Sequence, residues 1–280
     1  MTHLIADTLS SLSVDDAAAL GLSYLPQIVI FGDESYRDDT EMDSDTFIAR
    51  LKKSSTLPKT SAPYPSLYHP YFENLSKSGD PILIICPSKQ MSGTVRSAEA
   101  AVVDYPKADI RIIDTNTVGS ALGSIVKKAV EWQRAGLSAD EIEKNILAIS
   151  KRSRTLFLVD TLEYLHKGGR IGAAEAVFGS MLQMKPILGI KAGQIEAVTT
   201  ERTRKKAMNK FIELILAECP HGEESCPMVE HGGVPEHAQE LADLLKKELK
   251  VKNVPITFLP PAILVHGGPG VLGVSFFAKE

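Results

Sequence analysis

Short runs of β-branched and aliphatic residues alternate along this chain with helix-length amphipathic segments. That alternation is the strongest constraint on the fold, because parallel strands need crossover helices to bring the chain back to the same edge. The clearest strand is Pro81-Ile-Leu-Ile-Ile-Cys86, followed by polar Pro87 to Gly93 and a helix over Thr94 to Val103. Asp109-Ile-Arg-Ile-Ile-Asp114 reads as the next strand, and a helix over Ser120 to Ala135 closes at Gly136. Ser138-Ala-Asp-Glu141 has the spacing of a capping box and opens a further helix. Thr155-Leu-Phe-Leu-Val159 reads as the third strand of the same α/β unit.

Gln27-Ile-Val-Ile-Phe31 and Glu34-Ser-Tyr36, separated by Gly32-Asp33, form a predicted hairpin that projects from this unit. Beyond residue 155 glycines become frequent, and Lys191-Ala-Gly-Gln194 lies between two apolar runs as a second predicted hairpin turn. Helices are expected over Glu201 to Ala217 and Glu236 to Lys250, and strands over Ala262-Ile-Leu-Val265 and Val271 to Phe277. With 280 residues the chain accommodates two lobes with cores of their own. The expected division is an N-terminal α/β lobe over 1–155, with the hairpin excursion at about 25–50, and a C-terminal α/β lobe over 156–280.

Charge and cysteine content narrow the function. Thirty-one Lys and Arg face 35 Asp and Glu without long single-sign blocks, whereas nucleic-acid binding needs a concentrated basic field. The local cluster Arg202-Thr-Arg-Lys-Lys206 reads as a solvated helix face. No apolar run approaches the ~18 residues of a membrane span, and Met1 to Asp7 lacks the marks of a secretory leader. Three cysteines make no disulfide framework, so a reducing compartment, the cytoplasm, is expected. The gaps among Cys219, His221, Cys226 and His231 do not match the paired spacing of closed zinc sites, and neither a metal nor a cofactor is expected. No Walker sequence or Gly-x-Ser-x-Gly elbow is present.

Three polar clusters carry candidate anion donors. Thr60-Ser61 places two hydroxyls ahead of a proline-containing loop, although a turn or cap would use them equally well. Ser92-Gly93-Thr94 joins an apolar strand to a helix, where backbone N–H groups and the positive end of the helix dipole favour an anion. His266 precedes the glycine-rich Gly267-Gly-Pro-Gly270 and is a candidate cleft residue with a titratable ring. An apolar wall to accompany them is available in Phe178-Gly-Ser-Met-Leu-Gln-Met184 and Lys185-Pro-Ile-Leu188, which plain helix core would also explain.

Asp160-Thr-Leu-Glu-Tyr-Leu-His-Lys-Gly-Gly-Arg170-Ile resembles the central signature of the DegV family. Lys185-Pro-Ile-Leu188, Arg202-Thr-Arg-Lys-Lys206-Ala and His266-Gly-Gly-Pro-Gly-Val-Leu-Gly273 continue the resemblance in order, with Thr60-Ser61 and Ser92-Gly93-Thr94 matching the two N-terminal signatures. Where the family reads Ser-Lys-Leu-Ser-Gly-Thr, this chain has Ser88-Lys-Gln-Met-Ser-Gly-Thr94, one residue longer. The family's Thr-Ser-Gln-Pro-Ser becomes Thr60-Ser-Ala-Pro-Tyr-Pro-Ser66, and its N-terminal Asp-Ser-Thr-Ala-Asp becomes Asp7-Thr-Leu-Ser-Ser11. The resemblance implies an α/β fold of two lobes, the first with a mainly parallel sheet and crossover helices, the second with a mixed or antiparallel sheet. It implies a carrier, not an enzyme: one long-chain fatty acid such as palmitate, stearate or oleate, its carboxylate held by Thr60 and Ser92, with Ser61, Gly93, Thr94 and His266 as further donors. It also implies a separate fatty acid kinase subunit, with Arg170 and Arg202 near the exposed end of the site, contacting that partner or phosphate. The alternatives are a stand-alone phosphotransferase or hydrolase using His266 as base, and a lipid-sensing regulatory protein.

Overall fold

The computed structural model describes residues 1–178 and 184–279. In chain order the strands are β1 (His3–Asp7), β2 (Ser23–Leu25), β3 (Ile28–Phe31), β4 (Glu34–Arg37), β5 (Lys59–Ser61), β6 (Ile82–Cys86), β7 (Ile110–Asp114), β8 (Ser153–Leu158), β9 (Lys185–Lys191), β10 (Gln194–Glu201), β11 (Met228–His231), β12 (Ile256–Phe258) and β13 (Leu272–Phe277). The first sheet has the order β2-β1-β6-β7 and is parallel throughout. Its central strand β6 is buried at every position because both faces are covered, which is why the sequence there is continuously apolar instead of alternating. Leu83 and Ile85 pack towards the helices Ser120–Arg134 and Ala139–Arg152, while Ile82, Ile84 and Cys86 pack towards His69–Leu75 and Thr94–Val102. Ser138 opens the helix Ala139–Arg152 through the expected reciprocal capping box with Glu141.

The second sheet is mixed, in the order β10-β9-β8-β13-β11-β12. Its only parallel pair among the described strands is β11 with β12. One face is covered by the helices Arg204–Glu218 and Pro235–Leu249, whose Phe211, Ile215, Leu241 and Leu245 are buried against Leu156, Leu158 and Val274. The opposite face meets the helix Ser120–Arg134 of the first lobe. There the Ser120 and Ser275 hydroxyls lie 2.8 Å apart, and the Ser120 N–H donates to the buried Glu230 carboxylate at 2.8 Å.

A three-stranded antiparallel sheet, β4-β3-β5, lies beside the junction of the lobes. β3 and β4 form the predicted hairpin with Gly32 at φ 60°, and β9 and β10 form the other through Ala192 and Gly193, both at positive φ. The strand 153–158, read from sequence as part of the first unit, is laid into the second sheet between β9 and β13. One expectation is corrected outright: Ala262–Val265 is not a strand but lies within the helix Pro261–Gly267. Pro260 adopts an extended conformation and Pro261 stands in the first turn, where a missing N–H costs nothing, so the aliphatic run continues as helix. No helix among the described residues is long and apolar enough to cross a membrane.

Candidate functional site

In an open parallel sheet, ligands favour the crevice at the carboxyl ends of strands where the strand order reverses. Here that point falls between β1 and β6, since the chain runs from β1 to β2 on one side and returns to β6 on the other. Asp7 ends β1, and the loop 87–93 that follows β6 carries Ser92. From the small sheet, β5 pairs with β3 so that Thr60 stands opposite Val29. The helix Pro261–Gly267 contributes His266 from its last turn, and the tight turn after the helix Glu163–Lys167 contributes Arg170.

These elements surround a cavity of about 110 Å³, far above the ~10–15 Å³ one water requires. Most of its wall is apolar, with Leu9, Phe157, Leu165, Ile190, Ile195 and Leu259 among the lining side chains. Of the residues singled out from sequence, Thr60, Ser92, Gly93, Arg170 and His266 all line it. Two of them are in direct contact, and Arg170 is held by backbone carbonyls. Thr60 Oγ1 and His266 Nε2 are 3.1 Å apart, while Arg170 Nε donates to Met91 O at 3.1 Å and its Nη1 to Gly168 O at 2.9 Å. An ideal Cβ at Gly93 would stand 3.5 Å from the Ala62 Cβ, which brings the Ser92 loop against β5. The additional residue ahead of Ser92 is accommodated in a turn in which the Met91 and Ser92 N–H groups both donate to Ser88 O, at 3.0 and 2.9 Å. Ser92 remains in the cavity wall.

Ser61, Thr94 and Arg202 are placed differently. The Ser61 hydroxyl donates to Ala62 O at 3.1 Å. The buried Thr94 hydroxyl donates to Asp7 Oδ2 at 2.8 Å and accepts from Gln27 Nε2 at 3.1 Å, and its N–H donates to Ser92 Oγ at 3.2 Å. Arg202 is exposed ahead of the helix Arg204–Glu218 and is not part of the cavity wall. The neighbouring Arg204 instead pairs with Asp160 at 2.6 Å. Of the apolar run expected as tunnel wall, Phe178 stacks on His166, and Met184 and Leu188 belong to the core around the cavity. Positions 179–183 lie outside the described residues.

Burial shifts two ionisable groups of the wall. Burial pushes His266 down to about 3, and the Arg170 guanidinium adds to the shift, so the ring is neutral at physiological pH. Its Nδ1 is buried without a hydrogen-bond partner. An N–H there would be an unsatisfied donor, which assigns the proton to Nε2, facing Thr60. Thr60 Oγ1 then accepts from His266 and has its own proton free for a ligand in the cavity. Arg170 is itself held below its usual range by burial and then by Arg96, a like-charge strain that a bound anion relieves.

Behind Ser92 lies a buried network to which the sequence alone assigns no role. Asp7 Oδ2 accepts from Gln27 Nε2 at 2.7 Å and from Thr94, while Asp7 Oδ1 accepts from the Leu9 N–H at 3.0 Å. Asp38 Oδ1 accepts from Thr8 Oγ1 at 2.7 Å and from the Gln27 N–H at 2.8 Å. Burial pushes both carboxyls up to about 7 against the lowering effect of these donors. The Asp at the end of an apolar first strand was the available signal, but its burial depends on contacts 20 to 87 positions away. Among the described residues no three of His, Cys, Asp and Glu gather as a metal cluster.

The scaffold is thus α/β, with two lobes around a largely apolar cavity whose wall also carries hydroxyl, amide, imidazole and guanidinium groups. Comparison with known proteins places the chain more closely. The family model described as "Uncharacterised protein, DegV family" matches residues 1–279, and the chain belongs to that family. A DegV domain-containing protein of Halalkalibacterium halodurans is 31% identical over 278 residues, 99% of this chain and 98% of the relative. A DegV family protein of Thermus thermophilus, described for its fatty acid binding, superposes with a TM-score of 0.90 at 27% identity over 99% of both chains. A stearic acid-binding protein of Eubacterium ventriosum superposes with a TM-score of 0.89 at 25% identity over 100% of this chain and 99% of that one.

Proposed function

We propose that this protein binds one long-chain fatty acid, with its carboxylate against Thr60, Ser92 and the Gly93 amide, His266 orienting the Thr60 hydroxyl, and its tail along the apolar wall. The observation that carries this reading is that Thr60, Ser92, Gly93 and His266 share one cavity wall with Leu9, Phe157, Leu165 and Ile195. The fatty acid binding described for the Thermus protein and the stearic acid of the Eubacterium protein supply the ligand class. Burying an acyl chain contributes about 0.8 kcal/mol per CH2, so the tail provides most of the affinity and the donors orient the head. Arg170, at the head-group donors, and exposed Arg202 suit a finer role: presenting the carboxylate to a separate fatty acid kinase subunit for acyl phosphate formation. A His266 held near 3 is a weak base at neutral pH, which favours a carrier over a hydrolase using that ring.

Titration with palmitate tests the binding. The Thr60→Ala/Ser92→Ala double variant loses two hydrogen bonds to a charged group, about 1.5–3 kcal/mol each, and is expected to bind at least 100-fold more weakly. Equal affinity in the double variant overturns the head-group assignment. Acyl phosphate formed from ATP and oleate by this protein alone overturns the carrier reading, whereas formation only with an added kinase subunit supports it.

A further inference from the structure

We propose that the cavity carries a second polar subsite, Glu230 with Thr155, that selects a long-chain acid bearing a hydroxyl on its acyl chain. This rests on the carboxylate-binding reading above and names the ligand class more closely. Glu230 and Thr155 both line the cavity, but they come from β11 and β8 of the second sheet and not from the head-group elements. Glu230 pairs with Gly273 of β13, and Gly273 in turn with Phe157 of β8, itself part of the apolar wall. Side chains alternate between faces along a strand, so Thr155, two positions before Phe157, stands on the same face.

Two glycines make the room for this carboxyl. An ideal Cβ at Gly273 would stand 2.9 Å from both Cγ and Oε1 of Glu230, and one at Gly119 would stand 2.6 Å from Oε2. The Glu230 side chain therefore lies over β13. Gly273 and Thr155 are diagonal neighbours on adjacent strands, a relation that sets their backbone positions about 7–8 Å apart. One hydroxyl oxygen, with a hydrogen bond of ~2.8 Å to either side, spans such a gap.

Both groups keep hydrogen-bonding capacity that the protein leaves unused. Thr155 is 4% exposed, and its Oγ1 is buried without a hydrogen-bond partner among the described residues. Glu230, 6% exposed, accepts from the Ser120 N–H through Oε2 at 2.8 Å. Ser120 has one N–H and one hydroxyl, so it fills at most two of the roughly four acceptor positions of a carboxylate. Capping the helix at Ser120 accounts for Oε2, but it gives no reason for a hydroxyl at Thr155, where valine would fill the same space. A saturated tail would shut both groups away from water with nothing to bond. A hydroxyl on the tail donates to the carboxylate and accepts from Thr155. Sites built to hydrogen-bond a ligand hydroxyl discriminate strongly against the analogue that lacks it, because their buried polar groups are then left unpaired.

Competition read by native mass spectrometry tests the subsite. Delipidated protein is offered stearate mixed in equal amount with 9-, 10- or 12-hydroxystearate, and the two adducts differ in mass by one oxygen. The wild type is expected to favour at least one of the three hydroxy acids by about tenfold or more. Thr155→Val, which loses no bond within the protein, is expected to keep or raise Tm, to bind stearate more tightly and to cut that preference below about threefold. Thr155→Ser, which keeps the hydroxyl, is expected to retain the preference. Glu230→Gln, which keeps an acceptor for the Ser120 N–H, is expected to weaken it at least about threefold. A wild type that favours none of the three hydroxy acids, or a preference that persists in Thr155→Val, overturns the proposal while leaving fatty acid binding standing. Binding of none of the four acids overturns both.

Discussion

Replacing Gly168 by alanine probes the head-group network without touching any donor in it. Gly168 has φ −78°, a conformation open to any L-residue, so the backbone accepts the change. The added Cβ, however, would stand 2.2 Å from His266 Nδ1 and 2.9 Å from Tyr164 O. Restoring a separation of ~3.5 Å requires the imidazole to move by about 1 Å, a displacement that the 3.1 Å contact with Thr60 cannot absorb at hydrogen-bonding geometry. Overpacking costs about 1–3 kcal/mol and the lost hydrogen bond about 0.5–1.5 kcal/mol, while the stiffer unfolded chain returns about 0.4–1 kcal/mol. Net destabilisation of about 1–3 kcal/mol corresponds to a fall in Tm of roughly 2–5 °C for a chain of this size. Thermal melting monitored by circular dichroism reads the stability, and palmitate titration should show at least tenfold weaker binding, since Thr60 loses the partner that orients its proton. An unchanged or raised Tm together with undiminished affinity would refute the placement of His266 against Gly168 and Thr60.

Stability should also fall as pH rises from 6 to 8. Asp7 and Asp38 are raised in the folded state to about 7 from 3.8, so their protonated forms stabilise the fold and that contribution is lost as pH passes through 7. The change is about 1.4 kcal/mol per carboxyl over those two pH units. His266 opposes them with about 0.8 kcal/mol, because its depressed folded value makes its contribution complete only above its unfolded value of 6.5. A Tm that rises over this interval contradicts the buried carboxyl network, and Asp38→Asn should flatten the profile. Arg170→Gln removes the guanidinium bonds to Met91 O and Gly168 O that tie the Ser92 loop to the second lobe. It should lower stability by about 1–3 kcal/mol in denaturant unfolding, and an unchanged midpoint would contradict that tether.

The parts of the fold legible from sequence are those fixed by local pattern. Ile82 to Cys86 is apolar without alternation because it is buried on both faces, and Gly32-Asp33 and Ala192-Gly193 supply the turn conformations their hairpins require. Elements defined by distant partners were not legible. β5 is a three-residue strand that exists because it pairs with β3 some 30 positions earlier, and nothing local distinguishes it from a turn. The strand 153–158 looks like a continuation of the first α/β unit until its neighbours β9 and β13 are known. Ala262 to Val265 is aliphatic enough for either helix or strand, and the adjacent Pro260-Pro261 was the signal that decides for helix. The motifs contained Thr60, Ser92, Gly93, Arg170 and His266, which the fold brings to one cavity. The part played by Asp7, Gln27 and Asp38 was not legible because each is an ordinary polar residue at a strand end or in a loop, given its character only by burial.

The central claim, that this cavity holds one long-chain carboxylate, is tested most directly by native mass spectrometry of the protein as purified and after exposure to C16 to C18 fatty acids. The account predicts a single adduct of fatty acid mass per chain, saturating at one, and lost in the Thr60→Ala/Ser92→Ala variant. A clean unliganded mass that persists in the presence of palmitate, stearate and oleate would contradict it.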